Sequence, residues 1–376
     1  MDHIPQGEAG KAVLLMAQAL GQGGSERQLA ATAAGLAQGN RFVPHAGTLR
    51  PGGFRLAELE GAGVKTVCFP LASMTDLRQV TRAGLALRRY VRRHRVAIVH
   101  SYDTPGNLLA APAAYGAARV ITSQRALREL ANKRDRMLLR VTDRLAHRIV
   151  VNCRAVERDL VEEEGVWPGK IRLCYNGIDV EQFQPAGRAR PAVLGDGGIT
   201  VGVVCALRPE KDLLTLAEGF ARARRVAPEL RLVVVGSGPE GAGLEQRLRD
   251  LGVREAAHLE PAAAEVAPWL RGIDLFVLPS KSEAFSNALM EAMACGCAAV
   301  ASRVGGNPEL VQEGETGLLF PAGDAEALAA CLVRLAGEEG MRRRLAAAGL
   351  ERIRTEFTLA AAARRMEAIY TEAMEG

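Results

Sequence analysis

Short apolar runs alternate with helix-like segments along most of the chain, and this alternation limits the fold more than any other feature. In the first half, strand-like runs are found at residues 13–17, 42–49, 64–69, 97–100, 120–122 and 149–152. Helix-like segments such as 25–38 and 76–94 separate them. Strands that alternate with helices are typical of α/β proteins with a doubly wound, mainly parallel sheet.

A second alternating set follows a stretch rich in glycine and proline at residues 165–187 and an exposed-looking linker at 188–198. Its strand-like runs are residues 199–205, 231–235, 256–259, 275–278 and 298–301. A chain of 376 residues that is 48% hydrophobic can bury two cores of this kind. We therefore predict domains at 1–187 and 188–354, followed by a last helical segment at 355–376.

The two halves differ in charge. Residues 1–190 carry 28 Lys and Arg against 17 Asp and Glu, whereas the remainder carries 20 against 26. Aromatic residues make up only 4% of the chain and no nucleic-acid recognition motif accompanies the arginines, so nucleic acid is not predicted as a partner. An anionic membrane surface or an anionic acceptor fits the basic half. Segment 125–148 has apolar residues at helical spacing among its arginines, so it is either a lipid-facing helix or a solvated outer helix.

No apolar run approaches the roughly 18–20 residues that a transmembrane helix needs. The apolar residues 12–17 run into a glycine turn, so they indicate a first strand rather than a signal peptide. The seven cysteines are scattered without a CxxC pair. These features predict reduced thiols and a cytoplasmic protein, placed at the inner face of the membrane if the basic half binds lipid.

Two glycine turns are candidate anion sites. Residues 21–24 lead from the first strand into a helix predicted to be capped by Ser25, but they lack the GK[ST] of a P-loop. Gly236, Gly238 and Gly241 satisfy GxGxxG. Because Pro239 interrupts that turn and no acidic ribose ligand follows, we interpret it as a tight turn lining another kind of nucleotide pocket.

Residues 282–296 follow the strand-like run 275–278 and predict a loop that turns into a helix. Ser286 or Asn287 is the expected N-cap and Gly296 the expected stop. A helix N-terminus at the edge of a parallel sheet attracts phosphates. Glu283 and Glu291 would lie about 12 Å apart along a helix, which exceeds the 5–9.5 Å of a glycosidase pair, so separate roles fit better.

The order of these motifs resembles the family 4 retaining glycosyltransferases of the GT-B fold. The resemblance lies in residues 282–296, with Glu, seven residues and Glu, and continues in the following segments: residues 305–311, 314–321, 175–179, 208–211 and 23–26. It implies two facing Rossmann-like domains with a cleft between them and a final helix that crosses back to the first domain.

The resemblance also implies roles for single residues. Lys211 and Arg208 would neutralise the diphosphate of a nucleotide sugar, and with Glu283 on the sugar they form the expected catalytic set. Glu291 would bind the ribose. The further donor-binding residues expected are Gly23, Gly24, Gly236, Phe285, Ser286, Asn287 and Ala288.

Two departures from the family pattern leave questions open. Ala206 stands where relatives have an arginine, and Arg208 is the nearest substitute. Ser123 stands where many relatives have a histidine near the sugar. We therefore take His100, Gln124 and Arg125 as acceptor-side candidates, although His100 fits a core-edge histidine equally well.

These inferences predict a retaining hexosyltransferase that needs no metal or other cofactor. It would transfer a hexose from a UDP-sugar to a polysaccharide or lipid-linked acceptor in cell-surface glycan synthesis. The alternatives are a nucleotide-sugar epimerase or a sugar phosphorylase on the same fold, or a sugar-nucleotide-binding protein without turnover.

Overall fold

The computed structural model describes residues 10–186, 190–195 and 197–375. It divides the chain into two compact units. The first contains the described residues up to Gly177 together with those from Leu359 onward, and the second contains Ile178–Thr358. The predicted boundary at 187 and 188 lies outside the described residues, and the structure divides the chain earlier, after Gly177.

The first unit is built on a seven-stranded parallel sheet. Its strands are β1 (Lys11–Ala17), β2 (Phe42–Thr48), β3 (Lys65–Cys68), β4 (Ile98–Ser101), β5 (Arg119–Gln124), β6 (Arg148–Val151) and β7 (Ile171–Leu173). The strand order is β3-β2-β1-β4-β5-β6-β7, so the winding direction reverses between β1 and β4. Strand β7 was not predicted from the sequence, because three residues are too few to show a periodic pattern.

Six helices cover this sheet along the first part of the chain. They are α1 (Gly24–Ala37), α2 (Leu56–Gly61), α3 (Leu77–Arg93), α4 (Thr104–Ala114), α5 (Lys133–Leu145) and α6 (Arg154–Glu162). Ser25 is not the N-cap of α1, contrary to the prediction. The helix begins at Gly24, and the extended Gly23 takes the cap position with its carbonyl accepting the N–H of Arg27. The helix therefore begins one residue before the predicted cap.

Segment 125–148 is not one continuous basic face. It forms a short 3-10 turn at Arg128–Leu130 and then α5. Arg128 is buried and makes a bidentate ion pair with Asp143, at 2.8 Å for both contacts. Arg136 and Arg140 both pair with Glu164. Counter-charges inside the unit thus hold three arginines that the sequence pattern alone assigned to a solvent or lipid face.

The second unit is built on a six-stranded parallel sheet. Its strands are β8 (Ile199–Val204), β9 (Leu230–Val235), β10 (Ala257–Glu260), β11 (Leu275–Leu278), β12 (Ala298–Ser302) and β13 (Gly317–Phe320). The order is β10-β9-β8-β11-β12-β13, which repeats the reversal of the first sheet, here between β8 and β11. All four residues of β11 are buried, as expected for a central parallel strand.

Seven helices accompany the second sheet. They are α7 (Leu213–Arg224), α8 (Gly241–Asp250), α9 (Ala267–Leu270), α10 (Asn287–Ala294), α11 (Asn307–Leu310), α12 (Ala325–Gly337) and α13 (Glu339–Glu356). The predicted ends of α10 are confirmed. Ser286 is the N-cap, its hydroxyl accepting the N–H of Leu289 at 3.3 Å. Gly296 follows the C-cap Cys295 with a φ of 85°, a conformation that favours glycine.

The last helix, α14 (Leu359–Glu375), belongs to the first unit. Its Tyr370 is fully buried, with its ring 5.6 Å from that of Phe42. Its Glu372 pairs with Arg148 at 3.0 Å and also with Arg172. Helix α14 is therefore held by both core packing and ion pairs. Within the described ranges, no helix combines the length and the apolar character that crossing a bilayer requires.

Candidate functional site

The reversal point of the second sheet brings together two loops that carry predicted site residues. Strands β8 and β11 are neighbours, and both end at the same edge of the sheet because they run parallel. Arg208 and Lys211 follow β8, and Glu283 follows β11. In open α/β sheets, ligands bind outside the carboxyl ends of the strands at such a reversal. The predicted residues thus lie where a doubly wound sheet receives its ligand.

Lys211 and Glu283 form an ion pair at this edge of the second sheet. The Lys211 Nζ lies 2.6 Å from Glu283 Oε2, and the two side chains are only 19% and 15% exposed. Burial by itself lowers the pKa of Lys211, but the charge of Glu283 and the hydrogen bond to it outweigh this and raise that pKa above its ordinary value. Lys211 is consequently a fixed positive charge in a partly desolvated place.

Asp212 stabilises the loop that carries Lys211. It is 5% exposed and adopts a left-handed conformation at φ 49° and ψ 51°. Its carboxylate accepts a hydrogen bond from Thr215 at 2.7 Å and pairs with Lys281 at 3.1 Å. The backbone N–H of Lys281 donates to the carbonyl of Glu210 at 2.8 Å. These contacts join the loop after β8 to the loop after β11.

Asp212 and Lys281 were not predicted from the sequence as site residues. One local signal was available, because aspartate is among the few residues with a side chain that tolerate the left-handed region, and it directly follows Lys211. The pairing with Lys281 had no such signal, since it depends on two strands that lie side by side only in the folded sheet.

A glycine pair supports the backbone of Glu283. Gly305 has a φ of 50°, and a Cβ there would lie 1.5 Å from the carbonyl oxygen of Glu283. The N–H of Gly306 donates to the carbonyl of Ala284 at 2.7 Å. Only glycine permits so close an approach at position 305, and the N–H of Gly306 adds a second backbone contact to the Glu283 loop.

The first turns of α10 carry the other predicted donor-binding residues. Asn287 and Ala288 are half-buried at the start of the helix, where its backbone N–H groups and dipole favour an anion. Ser286 is buried as the cap, and Phe285 is 4% exposed. Glu291, one turn further along, is 3% exposed and therefore a buried carboxylate.

Arg208 is not brought into the Lys211–Glu283 contact. Its side chain is 65% exposed, and its carboxylate neighbour is Glu210 at 3.9 Å. Whether Arg208 takes the place of the arginine that Ala206 replaces stays a prediction.

The glycine turn at Gly236 packs against the same site loop. A Cβ at Gly236 would lie 1.9 Å from the carbonyl oxygen of Cys205, and one at Gly238 would lie 2.3 Å from that of Leu207. The N–H of Leu207 donates to the carbonyl of Ser237 at 3.0 Å. The glycines of the GxGxxG pattern thus allow two backbones to touch, which agrees with the tight-turn interpretation.

The first sheet has an equivalent edge at its own reversal point. Gly23 and Gly24 lie at the start of α1, after β1. Asp103 follows β4 and accepts hydrogen bonds from the backbone N–H groups of Gln18 at 2.6 Å and Gly106 at 2.7 Å. Burial raises the pKa of Asp103 to about 6, although both hydrogen bonds act to lower it. The sequence analysis did not identify Asp103.

His100 lies inside the first unit. It is completely buried; its Nδ1 is 2.7 Å from the Tyr370 hydroxyl and its Nε2 is 2.8 Å from the Ser123 hydroxyl. Burial and the charge of Arg125 hold its pKa well below the ordinary value. This placement matches the core-edge interpretation, since both ring nitrogens already have partners in the unit.

Gln124 and Arg125 are also engaged within the first unit. The Gln124 amide donates to the carbonyl of Ala126 at 2.8 Å. Arg125 donates to the Asn176 side chain at 2.6 Å and lies 4.9 Å from the ring centroid of Tyr102. Contact of these residues with an acceptor stays a prediction.

Among residues 10–186, 190–195 and 197–375, no group of three or more His, Cys, Asp or Glu side chains has an arrangement that could hold a metal ion.

Comparison with known proteins covers both units. Residues 22–182 match the family described as "Glycosyltransferase Family 4", and residues 198–338 match "Glycosyl transferases group 1". A D-inositol 3-phosphate glycosyltransferase of Thermomonospora curvata is 32% identical over 250 residues, which cover 61% of this chain and 58% of that protein. The Streptomyces bingchenggensis protein of the same name is 30% identical over 305 residues, with 76% and 63% covered. The match thus spans less than two thirds of these relatives.

Solved structures agree with the fold. Anabaena HepE, solved with UDP-glucose, superposes with a TM-score of 0.81 at 19% identity, covering 96% of this chain and 99% of that one. Sucrose-phosphate synthase from Thermosynechococcus elongatus superposes at 0.82 with 21% identity, covering 97% and 99%. The two parallel sheets and these structural likenesses show the GT-B fold, and the two family matches show that the chain belongs to the family 4, group 1 glycosyltransferases.

Proposed function

We propose that this protein is a retaining glycosyltransferase that moves a hexose from a UDP-sugar to a polysaccharide or lipid-linked acceptor in cell-surface glycan synthesis. The observation that carries the proposal is the partly buried Lys211–Glu283 pair at the reversal point of the second sheet. The complexes of Anabaena HepE with UDP and with UDP-glucose support this choice of donor.

In the proposed reaction, negative charge develops on the leaving diphosphate, and catalysis depends on the residues that stabilise it. The bond from the sugar carbon to the phosphate oxygen breaks as the bond to the acceptor oxygen forms on the same face. The acceptor proton passes to the departing diphosphate. Lys211 and the N–H groups at the start of α10 stabilise the growing negative charge, so the reaction needs no metal.

The two glutamates have separate tasks. Glu283, which already contacts Lys211 at 2.6 Å, hydrogen-bonds the hydroxyls of the donor sugar beside the diphosphate. Glu291 accepts hydrogen bonds from the ribose hydroxyls. A buried carboxylate forms charge-assisted hydrogen bonds of the stronger kind, which favours tight nucleotide binding.

A thermal-shift screen across nucleotide sugars tests the donor site. A ligand at one hundred times its Kd stabilises the native state by about 2.7 kcal/mol. We expect UDP and UDP-hexoses to raise the Tm, Lys211→Met to remove most of this shift, and the neighbouring control Glu210→Gln to keep it. If no nucleotide raises the Tm, or if Lys211→Met responds like the control, the donor site is wrong.

Product analysis tests the reaction. The anomeric configuration of the product, read by NMR coupling constants, should be that of the donor sugar, and EDTA should leave the rate unchanged. Inversion would exclude the retaining mechanism, and loss of activity that added metal restores would exclude the metal-independent one. Turnover without release of UDP would favour an epimerase or a phosphorylase.

The names of the relatives favour a second kind of acceptor. They are called D-inositol 3-phosphate glycosyltransferases, so a small phosphorylated polyol is an alternative to a glycan or lipid-linked acceptor. Transfer assays with one fixed UDP-hexose and either inositol 3-phosphate or a lipid-linked saccharide separate the two. The acceptor that gives the higher kcat/KM identifies the acceptor class.

The proposal places the protein in the cytoplasm, at the inner face of the membrane, and the exposed side chains of α3 support this helix as the one that binds lipid. Leu77 and Leu85 on α3 are 78% and 50% exposed, and three arginines share this open face of the helix, Arg78, Arg82 and Arg89. A helix with exposed leucines among arginines suits an anionic lipid surface. Helix α5 is the weaker candidate, because Arg136 and Arg140 already pair with Glu164.

Vesicle sedimentation tests this location. The wild type should bind vesicles containing phosphatidylserine at low salt. Arg82→Gln with Arg89→Gln should weaken binding at least fivefold, whereas the matched pair Arg343→Gln and Arg344→Gln on α13 should change it less than twofold. A wild type that ignores anionic vesicles at low salt would refute the membrane location.

A further inference from the structure

A cavity of about 270 Å³ opens in the first unit at the edge of the sheet where the strands begin. Basic side chains dominate its lining: Arg119, Arg144, His147, Arg148 and Lys170. Neither the family resemblance nor the proposed reaction uses these residues. So many cations around one small cavity repel one another unless something neutralises them.

The sheet itself gathers these charges. Arg119 is the first residue of β5, Arg148 is the first residue of β6, and Lys170 directly precedes β7. Because these three strands are neighbours and run parallel, their first residues lie at one edge. The ends of β1 and β4, where a ligand of a doubly wound sheet is expected, lie at the opposite edge. The cavity is therefore separate from that ligand edge.

Two of the cations have structural tasks. Arg148 pairs with Glu372 at 3.0 Å. Lys170 donates to the last carbonyls of α5, those of Asp143 and Arg144, at 3.1 and 3.0 Å. These contacts explain why a positive charge stands at positions 148 and 170.

Arg119 and Arg144 make no comparable structural contact among the described residues. Over the residues that the structure describes, neither side chain has a hydrogen bond or a carboxylate within ion-pair distance. The carboxylate of Asp143, the nearest along the chain, is already held by both terminal nitrogens of Arg128. Two uncompensated arginines thus face a cavity that Arg148 and Lys170 also line.

His147 adds an uncharged hydrogen-bond donor to the lining of the cavity. The backbone N–H of Val120 donates to its Nδ1 at 3.0 Å, so the neutral ring carries its proton on Nε2. Burial, and then the charges of Arg119, Lys170 and Arg148, lower its pKa. The lowered pKa favours the neutral ring at pH 7, so His147 offers an N–H donor without adding charge to the cavity.

We propose that this cavity binds the phosphate group of a small phosphorylated molecule, as a site separate from the transfer reaction. A phosphate carries up to two negative charges and several acceptor oxygens, so it can be shared by Arg119, Arg144 and His147, whereas a carboxylate can satisfy fewer of them. A volume of about 270 Å³ accommodates a phosphorylated head group but is small for a whole nucleotide sugar. Tyr115, 53% exposed, also lines the cavity and offers a ring for the rest of the ligand.

Calorimetric titration with inorganic phosphate tests the site. The wild type should bind one phosphate saturably at low salt. Arg119→Gln with Arg144→Gln should weaken this binding at least tenfold, whereas Arg343→Gln with Arg344→Gln, which removes the same charge from α13, should change it less than twofold. Equal losses in the two pairs would show a general charge effect and overturn the site, as would the absence of saturable binding in the wild type.

Two further measurements distinguish loss of the phosphate site from misfolding of the variant and from phosphate binding at the donor site. Arg144→Gln alone, at an exposed helix position, serves if the double variant does not fold by circular dichroism, and it should still weaken binding at least threefold. Titration in the Lys211→Met background should leave this phosphate binding intact, because the donor site lies in the other unit. If Lys211→Met removes it, the phosphate was in the donor site and the proposal fails, whatever the reaction proves to be.

The source of the phosphate is decided by comparing vesicles with soluble ligand. If Arg119→Gln with Arg144→Gln weakens binding to phosphatidic acid vesicles tenfold, and free phosphate competes, the ligand is a lipid head group. If the pair affects only soluble phosphate, the ligand is a soluble phosphate ester.

Discussion

The proposed donor site contains two distinct features, the Lys211–Glu283 ion pair and the buried carboxylate of Glu291. Lys211 and Glu283 meet at 2.6 Å although 72 positions separate them, and Glu291 lies on α10, which begins four residues after Glu283. Glu283 is still 15% exposed, whereas Glu291 is 3% exposed. In the proposed reaction, Glu283 meets the part of the donor that reacts and Glu291 the part that is held.

Replacing each glutamate should separate binding from turnover. We expect Glu291→Ala to weaken UDP binding by about 2 kcal/mol, roughly thirtyfold, through loss of charge-assisted hydrogen bonds. Glu283→Ala should lower kcat more than it lowers UDP affinity. Calorimetry with UDP and steady-state kinetics measure both, and an unchanged UDP affinity in Glu291→Ala would refute the ribose assignment.

Gly305 offers a test of how the Glu283 backbone is held. Gly305→Ala places a Cβ in contact with the Glu283 carbonyl and forces a side-chain residue to a φ of 50°. We expect a loss of about 2–4 kcal/mol in unfolding free energy, from backbone strain and overpacking together. Gly314→Ala is the matched control, since it also has a positive φ of 74° but nothing within 4 Å. Equal losses in urea unfolding would mean that the close approach to Glu283 costs nothing.

At the scale of secondary-structure elements, the loops after β8 and β11 act as one part because Asp212 joins them. Its side chain contacts Thr215 on α7 and Lys281 after β11. The left-handed backbone of Asp212 is a cost that glycine would not have. We infer that the aspartate is kept for its contacts, which position Lys211.

Asp212→Gly separates these two effects. Removal of the left-handed strain should offset part of the lost contacts, so the unfolding free energy should change by less than about 1 kcal/mol. UDP affinity should nevertheless fall about fivefold, because Lys211 is no longer positioned. Thermal unfolding and calorimetry measure the two quantities. Loss of stability with unchanged UDP affinity would show that Asp212 is only a structural residue.

The ion pairs of α14 predict a pH dependence. The hydrogen bond from Arg172, and then that from Arg148, hold the pKa of Glu372 at about 2, although burial acts to raise it. A lowered pKa stabilises the fold above the unfolded value, near 4.5, and this stabilisation is lost as the pH falls towards 2. Because the Glu372 side chain is 40% exposed, solvent screening limits the gain to about 1 kcal/mol or less.

Glu372→Gln should therefore lower the unfolding free energy at pH 7, and the difference from the wild type should shrink steadily below about pH 4.5. Urea unfolding between pH 3 and pH 7 measures this. Glu375→Gln, exposed on the same helix, should match the wild type throughout. A difference for Glu372→Gln that does not depend on pH would exclude its ionised pair as the cause.

At the scale of the whole molecule, two units with separate sheets and separate cores share one chain. The proposed donor contacts of Lys211, Glu283 and Glu291 all belong to the second unit. The proposed phosphate cavity belongs to the first. The two ligands should therefore protect different parts of the chain.

Hydrogen exchange read by mass spectrometry can test this separation. UDP should slow amide exchange in residues 205–213 and 281–294, and inorganic phosphate should slow it at the beginnings of β5, β6 and β7. Lys211→Met should remove the first effect and leave the second. Protection by UDP confined to the beginnings of β5, β6 and β7 would contradict both assignments.

Much of the fold followed from the sequence because its signals are local. Apolar runs predicted eleven of the thirteen strands in the part of the chain that the structure describes. The polar residues 286 and 287 and the glycine at 296 predicted the two ends of α10. Strands β7 and β13 were missed because their few residues resemble the loops around them. The spacing of Glu283 and Glu291 and the motifs around them identified the family, which the comparisons confirmed.

The sequence by itself determined the two α/β domains, the family and a start of α10 at Ser286 or Asn287. Only the tertiary structure decided that Arg128 is buried against Asp143, that His100 is enclosed by Tyr370 and Ser123, and that Asp212 pairs with Lys281. The reason is physical: strand and cap preferences depend on residues a few positions apart, whereas these polar contacts join residues that only the parallel sheets and the helices packed on them bring together. The Lys211–Glu283 contact combines a local signal with a tertiary one. Each residue was predicted from the motif around it, but their contact depends on β8 and β11 being neighbours in the sheet.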